Sequence, residues 1–340
     1  MRKPIVLVTG ADGEIGHGLI SRLAAEGAAP AVVTLDVNPL DSGLAGLVHR
    51  EITGSILDQG ILERILAEYE VDCVFHLAAL LSARSEFTPV TAHRVNVEGT
   101  LQLLEFAQRE GESHGRQVTF VYPSSVAVYG LPDVETRARA GRVTEDEWNV
   151  PITMYGCNKL YCEQLGRYYA RHYKQLGARA PSGRVDFRCV RFPGLISAET
   201  LPSGGTSDYA PEMTHAAARR RAYVCFVRAD TRLPFMVMPD AVDALLRLAR
   251  APREALSRTA YNVRAFNPSA GDIRRAVLEA FPQAEITYRI DDQRQAIVDS
   301  WPEDVDDTAA RRDWGFAPRY DFERAFSEYL IPTVQARYAM

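Results

Sequence analysis

The sequence predicts an α/β fold: a doubly wound parallel sheet with a smaller C-terminal domain. Three observations indicate this class. Short apolar runs alternate with amphipathic stretches from residue 4 to residue 125, a glycine-rich turn follows the first run, and the pattern becomes irregular after about residue 196. Strands and helices that alternate in this way form a parallel sheet with helices on both faces. We therefore place the sheet domain at 1–195 and expect 196–340 to form mainly the second domain.

The elements of the first half can be assigned in order. Apolar runs predict strands at "PIVLVTG" (4–10), "AVVTLD" (31–36), "LVHREITGSI" (47–56), "VDCVFHLAA" (71–79) and "QVTFVYPSS" (117–125). Helical spacing of apolar residues predicts helices in "EIGHGLISRLAAEG" (14–27), "DQGILERILAEYE" (58–70) and "TAHRVNVEGTLQLLEFAQREG" (91–111).

The second half is less regular. It predicts a helix over 154–177, a strand in "VDFRCVRFPGLI" (185–196), and helices in "PDAVDALLRLARAP" (239–252) and "SAGDIRRAVLEAF" (269–281). Polar composition predicts surface loops at 131–150 and 197–213, and the tail after residue 284 has little periodicity.

Composition excludes several classes of protein. The chain has 340 residues, 46% of them hydrophobic, and a formal net charge of −5. A nucleic-acid partner usually needs a basic face, so none is expected. No apolar run reaches the length of a membrane span, and the N-terminus lacks a signal-peptide layout. The five cysteines form no C-x-x-C pair, so we expect no metal site, no disulfide framework and a reduced, cytoplasmic setting.

A cofactor site is predicted at the first strand–helix turn. "TGADGEIG" (9–16) spaces Gly10, Gly13 and Gly16 so that the backbone can approach a pyrophosphate at the helix N-terminus. The glycine pattern alone is weak, but Asp36 ends the second strand 20 residues after Gly16. A carboxylate there accepts hydrogen bonds from the ribose hydroxyls and repels a 2′-phosphate, which favours NAD over NADP.

A catalytic group is predicted on the helix that begins near residue 154. Tyr155 and Lys159 are four residues apart, so they share one helix face. A tyrosine is a poor base because its usual pKa is about 10, and a lysine ammonium beside it is expected to lower that pKa. "YPSSVAVYG" (122–130) places Ser124 and Ser125 at the end of a strand, where ligands of such sheets bind.

These three motifs together resemble the extended short-chain dehydrogenase/reductase superfamily, whose sheet is of the Rossmann type. The resemblance implies that Ser125, Tyr155 and Lys159 are catalytic. It also implies an NAD site; the residues expected to contact NAD, beside Tyr155 and Lys159, are Gly10, Gly13, Glu14, Ile15, Gly16, Asp36, Asp58, Leu77, Ala78, Ala79, Asn96 and Phe192. Asp58 matches the position that usually contacts the adenine.

Stretches of the second half narrow the resemblance. Six stretches are similar to the short-chain type of L-threonine 3-dehydrogenase: "RFPGLIS" (191–197), "GGTSDYA" (204–210), "TRLPFMVMPDA" (231–241), "YNVRAF" (261–266), "RQAIVDSWP" (294–302) and "DWGFAPRYDF" (313–322). The resemblance implies oxidation of the threonine β-hydroxyl to 2-amino-3-ketobutyrate, with Ser82, Ser125 and Thr206 as substrate-binding residues. It also implies a homodimer that pairs the helices at about 91–109 and 154–177.

Some residues depart from that pattern and leave alternatives open. Arg84 and Ser85 stand where the family usually has a small threonine–glycine pair, and insertions lie at 131–150 and in "QLGARAPSGRVDF" (175–187). Arg84 either binds an extra carboxylate or phosphate or points outward, and Ser82 and Thr206 either bind substrate or stabilise their loops.

The same fold supports three other functions. A nucleotide-sugar epimerase or dehydratase usually has an asparagine where this chain has Pro193. A dehydrogenase of another small hydroxy acid is a further alternative. A non-catalytic NAD sensor would need the glycine turn but not Ser125, Tyr155 and Lys159.

Overall fold

A computed structural model of the chain describes residues 2–27, 30–176, 183–202 and 204–339. The strands in this part of the chain, numbered in chain order, are β1 (Lys3–Thr9), β2 (Ala31–Asp36), β3 (Arg50–Thr53), β4 (Tyr69–His76), β5 (Val118–Ser125), β6 (Arg142–Val143), β7 (Val185–Phe192), β8 (Gly194–Ile196), β9 (Tyr223–Cys225), β10 (Phe235–Val237), β11 (Ala260–Asn262), β12 (Ile286–Tyr288) and β13 (Asp304–Val305).

The α-helices are numbered in the same way. They are α1 (Glu14–Ala25), α2 (Ser42–Ala45), α3 (Gln59–Glu68), α4 (Ser82–Phe87), α5 (Pro89–His93), α6 (Gly99–His114), α7 (Val134–Ala140), α8 (Met154–Arg171), α9 (Tyr209–Ala218), α10 (Met238–Arg250), α11 (Ala270–Ala280), α12 (Asp292–Asp299), α13 (Thr308–Trp314), α14 (Phe322–Arg324) and α15 (Ile331–Tyr338). A π-helical turn joins α5 to α6, and another joins α14 to α15.

The core of the fold is a seven-stranded sheet with the order β11-β7-β5-β4-β1-β2-β3. All of its pairings are parallel. Side chains of a strand alternate between the two faces, and β1 shows the result: Val6 and Val8 pack beneath α1, α10 and α13, while Ile5 and Leu7 pack beneath α3, α6 and α8. The predicted doubly wound sheet is therefore confirmed.

The order of the sheet places the site. The chain winds outward from β1 in both directions, through β2 on one side and β4 on the other, so the strand order reverses at β1. Ligands of open α/β sheets bind beyond the carboxyl ends of the strands at such a reversal. The glycine turn follows β1 at this edge.

Residues after 196 add both to the sheet layer and to a separate core. β11 pairs with β7 at the edge of the sheet, and α10 packs against α1. A second hydrophobic core gathers residues of α9, α11 and the C-terminal helices around Phe235. The boundary near residue 195 stays a prediction, because β11 and α10 come after it in the chain and still belong to the sheet layer. No described helix has both the length and the apolarity that crossing a membrane requires.

Two sequence expectations were wrong in detail. The stretch 131–150 is not a simple surface loop, because it holds α7 and β6, and β6 pairs with β13. The loop predicted over 197–213 ends early, since α9 begins at Tyr209 and buries Tyr209 and Met213. The tail after 284 contains α12, α13, α14 and α15, which are short and were hidden by their weak periodicity.

The helix predicted over 154–177 is shorter than expected. It ends at Arg171, and residues 172–176 form turns. Residues 177–182 lie outside the described residues. They include the last residue of the predicted helix and the central part of the predicted insertion.

Candidate active site

A cleft of about 390 Å³ opens at the carboxyl ends of β1, β4 and β5. It brings together most of the site residues that the sequence predicted. Those that line it are Gly10, Gly13, Glu14, Ile15, Gly16, Leu77, Ala79, Ser82, Ser125, Tyr155, Lys159, Phe192 and Thr206. Asp36, Asp58, Ala78 and Asn96 lie outside this lining, and their contacts with NAD stay predictions.

The glycine turn is dictated by close packing. Gly10 has a φ of +69°, and a Cβ atom there would overlap the backbone of Ala78. A Cβ atom at Gly16 would overlap the backbone of Ala11. α1 begins directly after the turn without a side-chain cap, since its N-cap is Gly13. The first N–H groups of α1 are therefore available for a pyrophosphate, and the turn fits a dinucleotide.

Two carboxylates predicted to contact the adenosine half hold local structure. Asp36 ends β2, where Oδ2 accepts a hydrogen bond from Asp12 N (3.0 Å) and Oδ1 accepts one from Asn38 N (3.0 Å). These bonds fix its carboxylate beside the glycine turn, and its contact with the ribose stays a prediction. Asp58 caps α3, because its Oδ1 accepts from Gly60 N (2.9 Å) and Ile61 N (3.3 Å).

The loop after β4 is held in place by hydrogen bonds from a buried side chain. The buried Asn96 accepts a hydrogen bond from Leu80 N (2.8 Å) through Oδ1 and donates one to Leu80 O (3.1 Å) through Nδ2. The backbone of Ala78 lies against Gly10. Both residues therefore shape the loop that carries Leu77 and Ala79 into the cleft.

Tyr155 and Lys159, the predicted catalytic pair, lie on the first two turns of α8. Thr153 caps this helix, with Oγ1 accepting from Gly156 N (3.1 Å). The Lys159 ammonium is buried and donates a 2.7 Å hydrogen bond to Pro123 O. It lies 5.5 Å from the centre of the Tyr155 ring. The spacing of four residues thus places both side chains in the cleft, as predicted from the sequence.

Burial decides the ionisation of this pair. It lowers the pKa of Lys159 to about 8, because the charged form loses hydration. It raises the pKa of Tyr155 well above its usual value. We expected the lysine to lower the pKa of Tyr155, and in the free protein this expectation was wrong. The physical reason is that burial outweighs an ammonium whose short hydrogen bond goes to Pro123 and not to the phenol.

The two serines at the end of β5 differ in their hydrogen bonds. Ser125 accepts one from Ala127 N (3.2 Å) through Oγ, so its hydroxyl proton is left for a ligand oxygen. The Ser124 hydroxyl is buried and has no hydrogen-bond partner in the described part of the chain. Both line the cleft. A buried, unsatisfied hydroxyl at this point fits a polar ligand group.

Ser82 and Thr206 join the two sides of the cleft. The Ser82 Oγ accepts hydrogen bonds from Thr206 N (3.1 Å) and from the Thr206 hydroxyl (3.0 Å), and both residues are buried. The structure therefore supports the loop-stabilising role that the sequence left open. It also brings both hydroxyls into the cleft lining, where a substrate role remains available.

Sequence reasoning missed several lining residues, including Ser207, Asp208, Met238 and Trp301. The first three lie within motifs that were noticed for other reasons. Trp301 stands in "DSWP" within the weakly periodic tail. Its buried indole Nε1 has no hydrogen-bond partner among the described residues, and the available signal was the stretch "RQAIVDSWP" (294–302), which is similar to the same family.

Comparisons with known proteins agree with this geometry. The sequence model of the NAD dependent epimerase/dehydratase family matches residues 6–263. The chain is 34% identical to the mitochondrial L-threonine 3-dehydrogenase of Bos taurus over 94% of this chain and 79% of the bovine protein.

Two solved structures are similar over nearly the whole chain. The holo form of the GalE-like L-threonine dehydrogenase from Cupriavidus necator is 34% identical, with a TM-score of 0.84 over 98% of this chain and 99% of that one. A monomeric L-threonine 3-dehydrogenase from a metagenome, in its apo form, is 32% identical, with a TM-score of 0.85 over 98% of this chain and 99% of that one. The chain thus belongs to the NAD-dependent epimerase/dehydratase family and is an NAD-dependent dehydrogenase of the extended short-chain dehydrogenase/reductase type.

Proposed function

We propose that the protein oxidises the β-hydroxyl of L-threonine with NAD to give 2-amino-3-ketobutyrate. One observation carries the proposal: a single cleft is lined by the glycine turn, by Tyr155 with Lys159, and by the Ser82–Thr206 pair. The similar proteins that bear the name L-threonine dehydrogenase support this choice of substrate.

In this proposal the residues of the chain divide the proton chemistry among them. Ser125 donates a hydrogen bond to the substrate oxygen, and Tyr155 accepts the hydroxyl proton. The Lys159 ammonium stabilises the phenolate electrostatically, a role that its burial strengthens because screening by water is weak there. NAD, when bound, supplies the acceptor for the hydride from the β-carbon.

Burial makes the phenolate of Tyr155 costly, so the pair must work as a unit. A neutral Lys159 would remove the cation that offsets this cost. Tyr155 is therefore expected to be an effective base only while Lys159 keeps its proton. The activity should fall as the pH rises through about 8, where Lys159 loses its charge.

The alternative of a nucleotide-sugar epimerase receives less support. Pro193 lines the cleft at the position where such enzymes usually have an asparagine, and proline offers no side-chain hydrogen bond to a sugar nucleotide. A dehydrogenase of another small hydroxy acid would use the same Ser125, Tyr155 and Lys159.

A homodimer is also part of the proposal. The helices expected at its interface expose large apolar side chains. These include Leu101 on α6 and Tyr161 on α8, and Tyr161 is 55% exposed. Phe87 and Val90 beside them are 83% and 67% exposed. One similar protein is named as monomeric, so sedimentation of the purified protein is the direct test. A cytoplasmic location remains a prediction.

The deciding experiment is a substrate panel followed at the NADH absorbance. It contains L-threonine, L-serine, 3-hydroxybutyrate and a nucleotide sugar, each with NAD. Sustained NADH formation, fastest with L-threonine, is the expected result. No NADH from L-threonine between neutral and mildly alkaline pH, with turnover of another alcohol, would refute the assignment.

A further inference from the structure

The charged side chains that line the cleft differ in the hydrogen bonds that they make with the rest of the protein. Among the described lining residues they are Glu14, Arg84, Lys159 and Asp208. Asp208 accepts hydrogen bonds from Gly204 N (2.9 Å) and Gly205 N (2.6 Å), and Lys159 is bound to Pro123 O. The Arg84 guanidinium makes no hydrogen bond and no ion pair within the described ranges.

Arg84 is nevertheless carried by a fixed element. It lies on α4, which begins at Ser82 and therefore starts at the bond to Thr206. The next two residues anchor the helix: the Ser85 hydroxyl donates to Leu80 O (3.0 Å), and Glu86 Oε1 accepts from Met154 N (2.7 Å) at the start of α8. The backbone of Arg84 is therefore braced, and its exposed side chain reaches the lining of the cleft.

Among the described residues that line the cleft, the other cation is Lys159, which is bound to Pro123 O. A hydroxy amino acid brings a carboxylate, and desolvating that group without a charged partner is costly. The hydroxyls of Ser82 and Thr206 already bond to each other. A guanidinium offers paired donors that match the two oxygens of a carboxylate.

We infer that Arg84 binds a carboxylate of the substrate and so restricts the enzyme to hydroxy acids. This inference rests on the proposed function in requiring an acidic alcohol as the substrate. The carboxylate has two possible sources: the α-carboxylate of L-threonine, or a second carboxylate in place of its methyl group, as in L-threo-3-hydroxyaspartate. Arg84 is thus a specificity-determining residue at the mouth of the cleft.

The test compares acids with their uncharged analogues. Arg84→Met keeps an extended apolar side chain and removes the charge. Arg84→Lys keeps the positive charge but lacks the paired N–H donors of the guanidinium. kcat/KM is measured with L-threonine, L-threonine amide and L-threo-3-hydroxyaspartate. Arg64→Met is the control, because Arg64 is exposed on α3 and does not line the cleft.

Arg84→Met should lower kcat/KM for the recognised acid roughly tenfold to a hundredfold, the usual effect of losing one charge-assisted hydrogen bond. It should leave L-threonine amide and the KM for NAD within about twofold of wild type, a margin well below the effect of one hydrogen bond. Arg84→Lys should recover part of the loss. A selective loss with L-threonine identifies the α-carboxylate, and one confined to hydroxyaspartate identifies the second carboxylate.

Equal losses on the acid and the amide, or no loss on either acid, would overturn the inference. If wild type oxidises 3-hydroxybutyrate but not L-threonine, the proposed function fails while the inference does not. The same comparison with 3-hydroxybutyramide then decides the role of Arg84. A wild-type enzyme that oxidises none of these hydroxy acids would overturn both.

Discussion

Glu163 and Arg191 form a buried ion pair one helical turn beyond Lys159. The Arg191 guanidinium donates to Glu163 Oε2 (2.7 Å) and Oε1 (2.9 Å), and both residues are only 3% exposed. Arg191 lies on β7 opposite Ser124 of β5. The pair therefore ties α8 to β7, the strand next to the two serines.

Glu163→Gln should destabilise the protein strongly. The substitution keeps the volume but leaves the Arg191 charge buried without its counter-ion, which typically costs about 3–5 kcal/mol. Glu328→Gln is the control, because Glu328 pairs with Arg324 (2.8 Å) on the surface, where such pairs contribute at most about 1 kcal/mol. Denaturant unfolding of both variants measures the difference. Equal losses in the free energy of unfolding would mean that the buried ion pair contributes no more to stability than the surface pair.

Tyr155→Phe should reduce turnover by at least about a hundredfold, the usual contribution of a positioned acid–base group. The ring is retained, so NAD binding should change little. Tyr161→Phe is a matched control on the same helix, since Tyr161 is exposed and does not line the cleft. Steady-state kinetics and NAD titration give the two readouts. Near-normal turnover in Tyr155→Phe would require another route for the proton.

Lys159→Met should change how stability depends on pH. Folding lowers the pKa of Lys159 from 10.5 to about 8. Below pH 8 both states are protonated and the folded state bears the full cost of the buried charge. As pH rises from about 8 to about 10.5, only the unfolded state keeps the proton, so wild type gains stability.

The thermal midpoint of wild type should therefore rise relative to that of Lys159→Met over this pH range. Thermal unfolding at several pH values checks it, with the exposed Lys3→Met as control. A constant difference between wild type and Lys159→Met across the range would contradict the lowered pKa.

Asp36→Ala should weaken the preference for NAD over NADP. It removes a carboxylate that is positioned for the ribose hydroxyls and that repels a 2′-phosphate. The ratio of kcat/KM for the two cofactors should fall roughly tenfold or more, as expected for a charged hydrogen-bonding partner. Asp41→Ala removes another capping carboxylate, at α2, and should leave the ratio unchanged. Wild-type turnover with NADP that equals turnover with NAD would disprove the role of Asp36.

Thr206→Ala and Ser82→Ala should differ in kind. Thr206→Ala loses one hydroxyl and should raise the KM for L-threonine roughly five- to a hundredfold, with little loss of stability. Ser82→Ala also removes the acceptor of Thr206 N, so a buried N–H is left unpaired and unfolding should become easier by about 1–3 kcal/mol. Kinetics and thermal unfolding separate the two effects. The KM for NAD should stay the same in both variants.

The parts of the site that could be predicted from the sequence are those built from local chemistry. Gly10 and Gly16 follow from the backbone approach in one turn, and the pair Tyr155 and Lys159 follows from helix geometry. The seven-stranded sheet follows from apolar runs such as that of β1, whose side chains are buried on both faces. Each of these needs only residues that are near in the sequence.

The remainder depends on distant partners. Arg137, in a stretch expected to be surface loop, is buried because its Nε donates to Trp301 O (2.7 Å) and its guanidinium faces Asp299 (3.6 Å) and Glu303 (3.7 Å). These partners lie more than 160 residues away in the chain. A charged residue is expected to be exposed unless its partners are known.

The short pairing of β8 with β10 has a consequence for how this enzyme can diversify. The two strands lie side by side and in parallel, and residues 197–234, which include Thr206 and Asp208, run between them. Because the pairing is parallel, the chain leaves β8 at Ile196 and crosses back to enter β10 at Phe235, opposite Gly194. Within this crossover, α9 is anchored in the second core through Tyr209 and Met213. Changes of length around Thr206, before α9, are therefore expected to alter the cleft wall while the second core, the glycine turn and α8 keep their positions.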